Sequence, residues 1–503
     1  MSFVRVITPT ITFYPPDSQQ QDDRTINGIL NFITSSMGCH LQYFRTNNQT
    51  IVFSYWNQIL FIVSGVNESV AYLRFRLQII REIAVFLFGL DFDQIMRKST
   101  INVNFIDLYA KYVDEFLKMT ENDYYTQLGL ISHNSYFSEF SNYLSESIPS
   151  SQFPHDLPFI DCFILKNHKI VSRLNLANQN PINYMSVYIL SLFSRIEYPD
   201  TDSATPNRKE KESDPEESKS KDVSNTEINN NDNNQESSYE KQYKLFDPNY
   251  VNITDPPSVQ LRAGYITIGE TSCLCSISST LLGPNSPYVA LFITQELNTD
   301  VKKFIVSGII SLISSSMSEA VRLILTPLSF NFPGLVYFLA ANRSSGECFD
   351  FESCGDVKSH HITNLLFRTM KNYTFEALFN GQTTFIWRDS HFLFVYSIFF
   401  IQSDGKAVNP PEKVKIPIFK NDYNLTYQTI CNEFFHKEKN LKVYEVYSIF
   451  LGVVPPQAAY CETVDMFIDV IKEKKIIFTG NVDVLKASLL PHSKKNRNSL
   501  LNS

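Results

Sequence analysis

Residues 40–89 read HLQYFRTNNQTIVFSYWNQILFIVSGVNESVAYLRFRLQIIREIAVFLFG, and the fold is decided here. His40–Arg45, Thr50–Tyr55 and Gln58–Ser64 are short runs rich in β-branched and aromatic residues. They are separated only by breaks at Asn47–Asn48 and Trp56–Asn57, a spacing that predicts hairpin turns. Ser69–Phe88 then changes period, with Leu73, Leu77, Ile80, Ala84 and Leu87 recurring as on one face of a helix. Arg74, Gln78, Arg81 and Glu82 fall largely off that stripe. The reading is a three-stranded antiparallel meander closed by an amphipathic helix. Upstream, Phe3–Phe13 reads as one strand and Thr25–Ser36 as a helix.

At 503 residues the chain exceeds one core and implies two to four domains. A net charge of −8 argues against nucleic-acid binding through a bulk field. Cys39, Cys162, Cys273, Cys275, Cys348, Cys354, Cys431 and Cys461 are scattered through apolar runs, as reduced core thiols would be. Met1–Phe13 lacks a basic segment followed by an apolar one, and runs such as Ile83–Leu90 fall short of the ~20 residues that span a bilayer. The expectation is a soluble, cytoplasmic chain.

Past the opening unit, Asp91–Lys98 reads as a polar connection and Asn104–Met119 as a helix with Asn104 as N-cap and Leu108, Tyr112, Val113 and Phe116 on its apolar side. Residues 122–154 read as a connecting segment with one helix near Tyr136–Leu144. Pro158–Leu165 and Lys169–Leu174 form a hairpin around Asn167–His168, and Asn180–Pro181 starts a helix that runs to about Phe193. From Pro199 to Lys244 polar and charged residues dominate, and such a segment buries too little surface to offset chain entropy. Strands resume at Gln260–Ile268, Ser272–Ser278 and Tyr288–Gln295, followed by a helix over Asp300–Ser314. The last third carries strands at Val336–Ala340, Glu347–Phe351, Thr383–Trp387, His391–Ile401, Val443–Leu451 and Lys475–Thr479. Its helices are His361–Phe379 and Pro455–Glu473, the latter with Cys461, Val464, Ile468 and Ile471 on one face. Mixed sheet-and-helix content therefore occurs three times.

Catalytic motifs do not emerge: there is no Gly-x-Ser-x-Gly elbow, phosphate-cradling Gly-rich loop or His-Glu-x-x-His. Cys348 and Cys354 with His360–His361 match no common zinc spacing, and the bland reading is strand thiols beside a helix start. Cys273 and Cys275 share one sheet face and read as core. Asp91 and Asp93 read as solvated turn residues rather than an acid–base pair. Arg74, Arg76 and Arg81 read as a charged helix face, with docking to an acidic partner as the functional alternative.

Three stretches also carry a resemblance. Residues 51–63 (IVFSYWNQILFIV) with 68–88 (ESVAYLRFRLQIIREIAVFLF), residues 332–349 (FPGLVYFLAANRSSGECF, with Pro333, Leu335, Phe338 and Leu339) and residues 444–478 (YEVYSIFLGVVPPQAAYCETVDMFIDVIKEKKIIF) resemble, in this order, the SAND/Mon family. Residues 383–440 have no counterpart, and of the basic positions near Phe338 only Arg343 remains. The resemblance implies an α+β chain of three longin/roadblock-like domains, each an antiparallel sheet flanked by helices: 1–125, 155–325 with the insert 199–244, and 330–485, with a frayed tail at 486–503. It implies a subunit of a heterodimeric guanine-nucleotide exchange factor that pairs with a Ccz-like longin-domain partner and activates a late-endosomal or vacuolar Rab GTPase, with peripheral contact to endosomal or vacuolar membrane. Exchange would need no cofactor, metal or nucleophile, and Arg74, Arg76, Gln78 and Arg81 would lie at the partner or GTPase interface. The competing readings are a non-catalytic longin-domain scaffold or tether, a sister three-longin subunit, and, as an outsider, a hydrolase or metalloenzyme.

Overall fold

The computed structural model describes residues 3–8, 11–16, 20–38, 40–66, 68–96, 103–122, 124–128, 143–144, 146–148, 153, 159–175, 182–199, 259–268, 271–282, 288–295, 310, 312–313, 316, 332–342, 348–352, 365–367, 369–371, 373–374, 382–402, 404–408, 441–473, 478 and 480–489. It is a mixed α+β chain with three antiparallel sheets flanked by helices.

The first sheet holds β1 (Val4–Ile7), β2 (Thr12–Tyr14), β3 (Tyr43–Arg45), β4 (Gln49–Trp56) and β5 (Ile59–Val66) in the order β2-β1-β5-β4-β3. The expected single strand over Phe3–Phe13 is instead two, because Thr8 turns the chain. Its N–H donates to the Ile11 carbonyl at 2.9 Å, and its hydroxyl accepts from the Ile11 N–H at 3.1 Å. Helix α1 (Gln20–Met37) joins β2 to β3, and α2 (Val70–Phe88) follows β5. Ser69 caps α2 by accepting from the Tyr72 N–H, and Gly89 ends it at φ +83°. Only glycine suits that position, since a Cβ there would also strike the ring of Tyr265 from the second unit.

Asp91–Lys98 differs from its reading as a polar connection. Residues Phe92–Met96 form a short helix, α3, with Phe92, Asp93 and Met96 buried. Asp93 accepts from Asn57 Nδ2 at 2.8 Å, which locks the β4–β5 turn where Asn57 has φ +51°. This carboxylate is a structural acceptor rather than a solvated turn residue. Helix α4 (Val103–Asn122) starts one residue before Asn104, so Asn104 lies inside it, and α5 (Tyr124–Gln127) follows.

The second sheet comprises β6 (Phe159–Lys166), β7 (Lys169–Asn175), β8 (Gln260–Ile268), β9 (Thr271–Leu281) and β10 (Tyr288–Thr294), ordered β7-β6-β10-β9-β8. Asn167 and His168 both have positive φ, as a two-residue hairpin of the primed type requires. His168 is held there by helix α6 (Tyr184–Glu197): its Nδ1 lies 3.1 Å from Ser194 Oγ, and its carbonyl accepts from Ser191. The N-cap of α6 is Asn183, which accepts from the Met185 N–H. The expected start at Asn180–Pro181, the charged stretch from 200, most of Asp300–Ser314 and most of the helix near Tyr136–Leu144 lie outside the described residues.

The third sheet holds β11 (Leu335–Asn342), β12 (Cys348–Glu352), β13 (Thr384–Arg388), β14 (Phe392–Ile401) and β16 (Lys442–Leu451), ordered β12-β11-β16-β14-β13, with β15 (Ala407–Val408) beside β14. Helix α7 (Pro456–Lys472) buries Ala459, Thr463, Val464, Phe467, Ile468 and Ile471, while Cys461 sits half-exposed at the margin of that face. Helix α8 (Val482–Leu489) follows, an element for which no strand or helix is read from the sequence. Of the expected strand Lys475–Thr479 only Phe478 is described, and it packs on the α7 side.

With the short β15 set aside, one rule recurs in all three sheets: second, first, fifth, fourth, third. Each sheet turns one face to a common core. Val4, Val6, Phe61 and Val63 enter it from the first, Phe163, Leu165, Leu291 and Ile293 from the second, and Tyr337, Leu339, Phe394 and Tyr396 from the third. The alternate residues, among them Ile62, Ile164, Phe292, Phe338 and Val395, face private cores on the outer sides. Burial on both faces is why these strands read as continuous apolar runs.

Candidate functional site

Helix α2 carries every residue that sequence reasoning singles out for partner contact, and the structure encloses it. Leu73, Leu77, Ile80, Ala84 and Leu87 are buried as expected, but so are Phe75, Ile79, Ile83, Val85, Phe86 and Phe88. The helix rests on β4 and β5 on one side and on α4, α6 and β8 on the other. A helix with apolar residues on most of its circumference belongs largely in an interior.

Its polar residues are engaged within the chain. Arg74 Nη2 donates to Gln42 Oε1 at 2.9 Å, and partial burial lowers its pKa below the ordinary value. Arg76 is buried, 3.3 Å from Glu68 and over the ring of Tyr72. Arg81 lies 4.9 Å from the centroid of Trp56 and 2.9 Å from Glu82. Trp56 in turn stacks on Phe92. Gln78 is half-buried. The charged helix face expected from the sequence is thus an internal seam at Arg76 and a half-covered rim at Arg74, Gln78 and Arg81.

An exposed apolar surface lies instead on α1 and β3. Ile26 and Leu30 face the sheet, Leu30 buried against Ile7, Leu60 and Ile62, and Ile33 is half-buried. Ile29, Phe32 and Met37 are exposed, Phe32 by 69% and Met37 by 72%. In the same unit β3 is an edge of the sheet, with Tyr43, Phe44 and Arg45 all exposed. An edge strand presents unpaired backbone donors and acceptors, and exposed large apolar side chains are the chemistry that protein docking uses. Sequence reasoning misses this surface although its signal was legible: α1 carries apolar residues at 26, 29, 30, 32, 33 and 37, more than one sheet face can cover.

Among the described residues, no group of three His, Cys, Asp or Glu is placed to hold a metal ion. Cys348 is a buried strand residue, and Cys354, His360 and His361 lie outside the described residues. Burial holds the Cys162 thiol protonated and pushes Cys275 up to about 12, so neither is a ready nucleophile. Cys275 packs in the core and Cys273 is half-exposed.

Asp161 is the buried acid with the clearest consequence. It lies on β6, 2.6 Å from Arg173 Nη2 on β7, and accepts from the Cys162 N–H. Burial pushes its carboxyl from 3.8 up to about 6, outweighing the pull of Arg173. The folded chain therefore holds the proton more tightly than the unfolded chain does. Stability from this group is full below pH ~4 and is lost as pH rises through ~6, an effect of about 3 kcal/mol. Asp161→Asn is expected to flatten that part of the stability–pH curve, read by denaturant unfolding at pH values between 4 and 7.

No protein-family model and no curated protein matches the chain.

Proposed function

We propose that this chain is a subunit of a heterodimeric guanine-nucleotide exchange factor acting on a late-endosomal or vacuolar Rab GTPase. The observation that carries the reading is the threefold strand order second, first, fifth, fourth, third, with helices flanking the sheets. Antiparallel sheets flanked by helices are what the resemblance to the SAND/Mon family implies, and the shared strand order makes the three units repeats of one arrangement. The first unit would pair with a longin-like partner through α1 and the β3 edge, where apolar residues are exposed. Arg74, Gln78 and Arg81 would border the GTPase site from the rim of α2. Exchange in this reading is conformational: the pair holds the GTPase with its switch displaced, contacts to nucleotide and magnesium are lost, and GDP leaves.

No described helix is long and apolar enough to cross a membrane; peripheral membrane contact belongs to this reading as what the resemblance implies. The test is GDP release from purified Rab GTPases with the chain alone, a Ccz-like partner alone, and the two together. The expected result is stable co-purification and release accelerated only by the pair. Pairing without acceleration of any endosomal Rab would instead favour a scaffold. The engagement of Arg74, Arg76 and Arg81 within the chain is the feature that favours this second reading.

A further inference from the structure

Glu68 stands just before α2 and touches two cations from different units. Its Oε2 lies 3.3 Å from Arg76 Nη1 within the first unit. Its Oε1 lies 3.4 Å from Nζ of Lys371, which belongs to the helical residues between β12 and β13 of the third unit. The Lys371 side chain is only 5% exposed, and its ammonium sits 3.6 Å from the centroid of the buried Tyr72 ring. Arg76 Nε is buried without a hydrogen-bond partner, so this guanidinium relies on Glu68 for neutralisation. Gly65 makes room for the carboxylate, since a Cβ at that position would collide with it. Phe367 and Met370, close to Lys371 in the chain, join the common core.

We propose that Glu68 is an electrostatic pin that couples the third unit to the first turns of α2. One carboxylate neutralises two buried cations, so neither contact is independent of the other. When the third unit moves away, Lys371 regains water, Tyr72 loses the nearer of its two cations, and the start of α2 loses a packed neighbour. Displacement of the third unit is thereby felt in the helix at the centre of the first. This coupling is independent of the exchange reaction.

Hydrogen exchange on the full chain tests it. In Glu68→Gln, exchange is expected to rise about tenfold or more in residues 69–76 and also in 365–371, because Arg76 and Lys371 lose the carboxylate they share. Lys371→Met keeps the apolar stem on Tyr72 and removes one cation. Combined with Glu68→Gln, it is expected to return the exchange of 69–76 part of the way, so the two effects are not additive. A rise confined to one segment, or strict additivity, would overturn the proposal. If Glu68→Gln does not fold, Lys371→Met alone decides: a rise in 69–76 as well as 365–371 supports the pin, and a rise in 365–371 only rejects it.

Discussion

Phe86→Ala is expected to lower stability by about 3–5 kcal/mol, and to weaken the first and second units together. Phe86 is buried on α2, with ring centroids 6.0 Å from Tyr112 on α4 and 6.5 Å from Phe193 on α6. Its ring also fills the space that Gly264 on β8 leaves by lacking a side chain. Truncation removes packing that joins α2 and α4 to α6 and β8, and leaves a cavity at that seam between the two units. The measurement is chemical unfolding followed by one probe in each unit. Coincident loss at lower denaturant is the expected outcome. A loss confined to the first unit would show that α2 is not shared.

The second large effect is on association. Phe32→Asp together with Phe44→Asp is expected to weaken pairing with a longin-like partner by about 100-fold or more, as charge placed at the centre of an apolar docking surface does. Both side chains are more than half exposed, Phe32 on α1 and Phe44 on the β3 edge. Folding stability should therefore change by no more than about 0.5 kcal/mol. Binding measured by calorimetry and unfolding measured on the same samples separate the two quantities. Unchanged affinity would remove α1 and β3 from the interface. The contrasting Arg81→Glu variant should cost stability, because it places a carboxylate beside Glu82 and removes the cation over Trp56.

Local structure was legible wherever periodicity and turn chemistry agree. Gln260–Ile268 is a strand with the boundaries its pattern predicts, and Ser69–Phe88 is α2 with Ser69 as its cap. Asn167–His168 is the turn its residue types suggest. Misreadings occur where a single side chain overrides the pattern. Thr8 breaks the strand expected over Phe3–Phe13, and Asp93 takes an internal partner that no local rule reveals.

What the sequence by itself determined is the set of mixed units and the placement of strands and helices, because hydrophobic period is a property of neighbours along the chain. What only the tertiary structure decided is which faces are free. The stripe Leu73, Leu77, Ile80 marks one buried side of α2, yet Ile79, Val85 and Phe86 are buried as well, and Phe86 is covered by residues more than a hundred positions away, Phe193 and Gly264. The opposite holds for α1, where Phe32 and Met37 have the composition of a core and remain exposed because no described part of the chain covers them. Burial is set by the partner surface as well as by the residue, and for these two helices that surface comes from elsewhere in the fold.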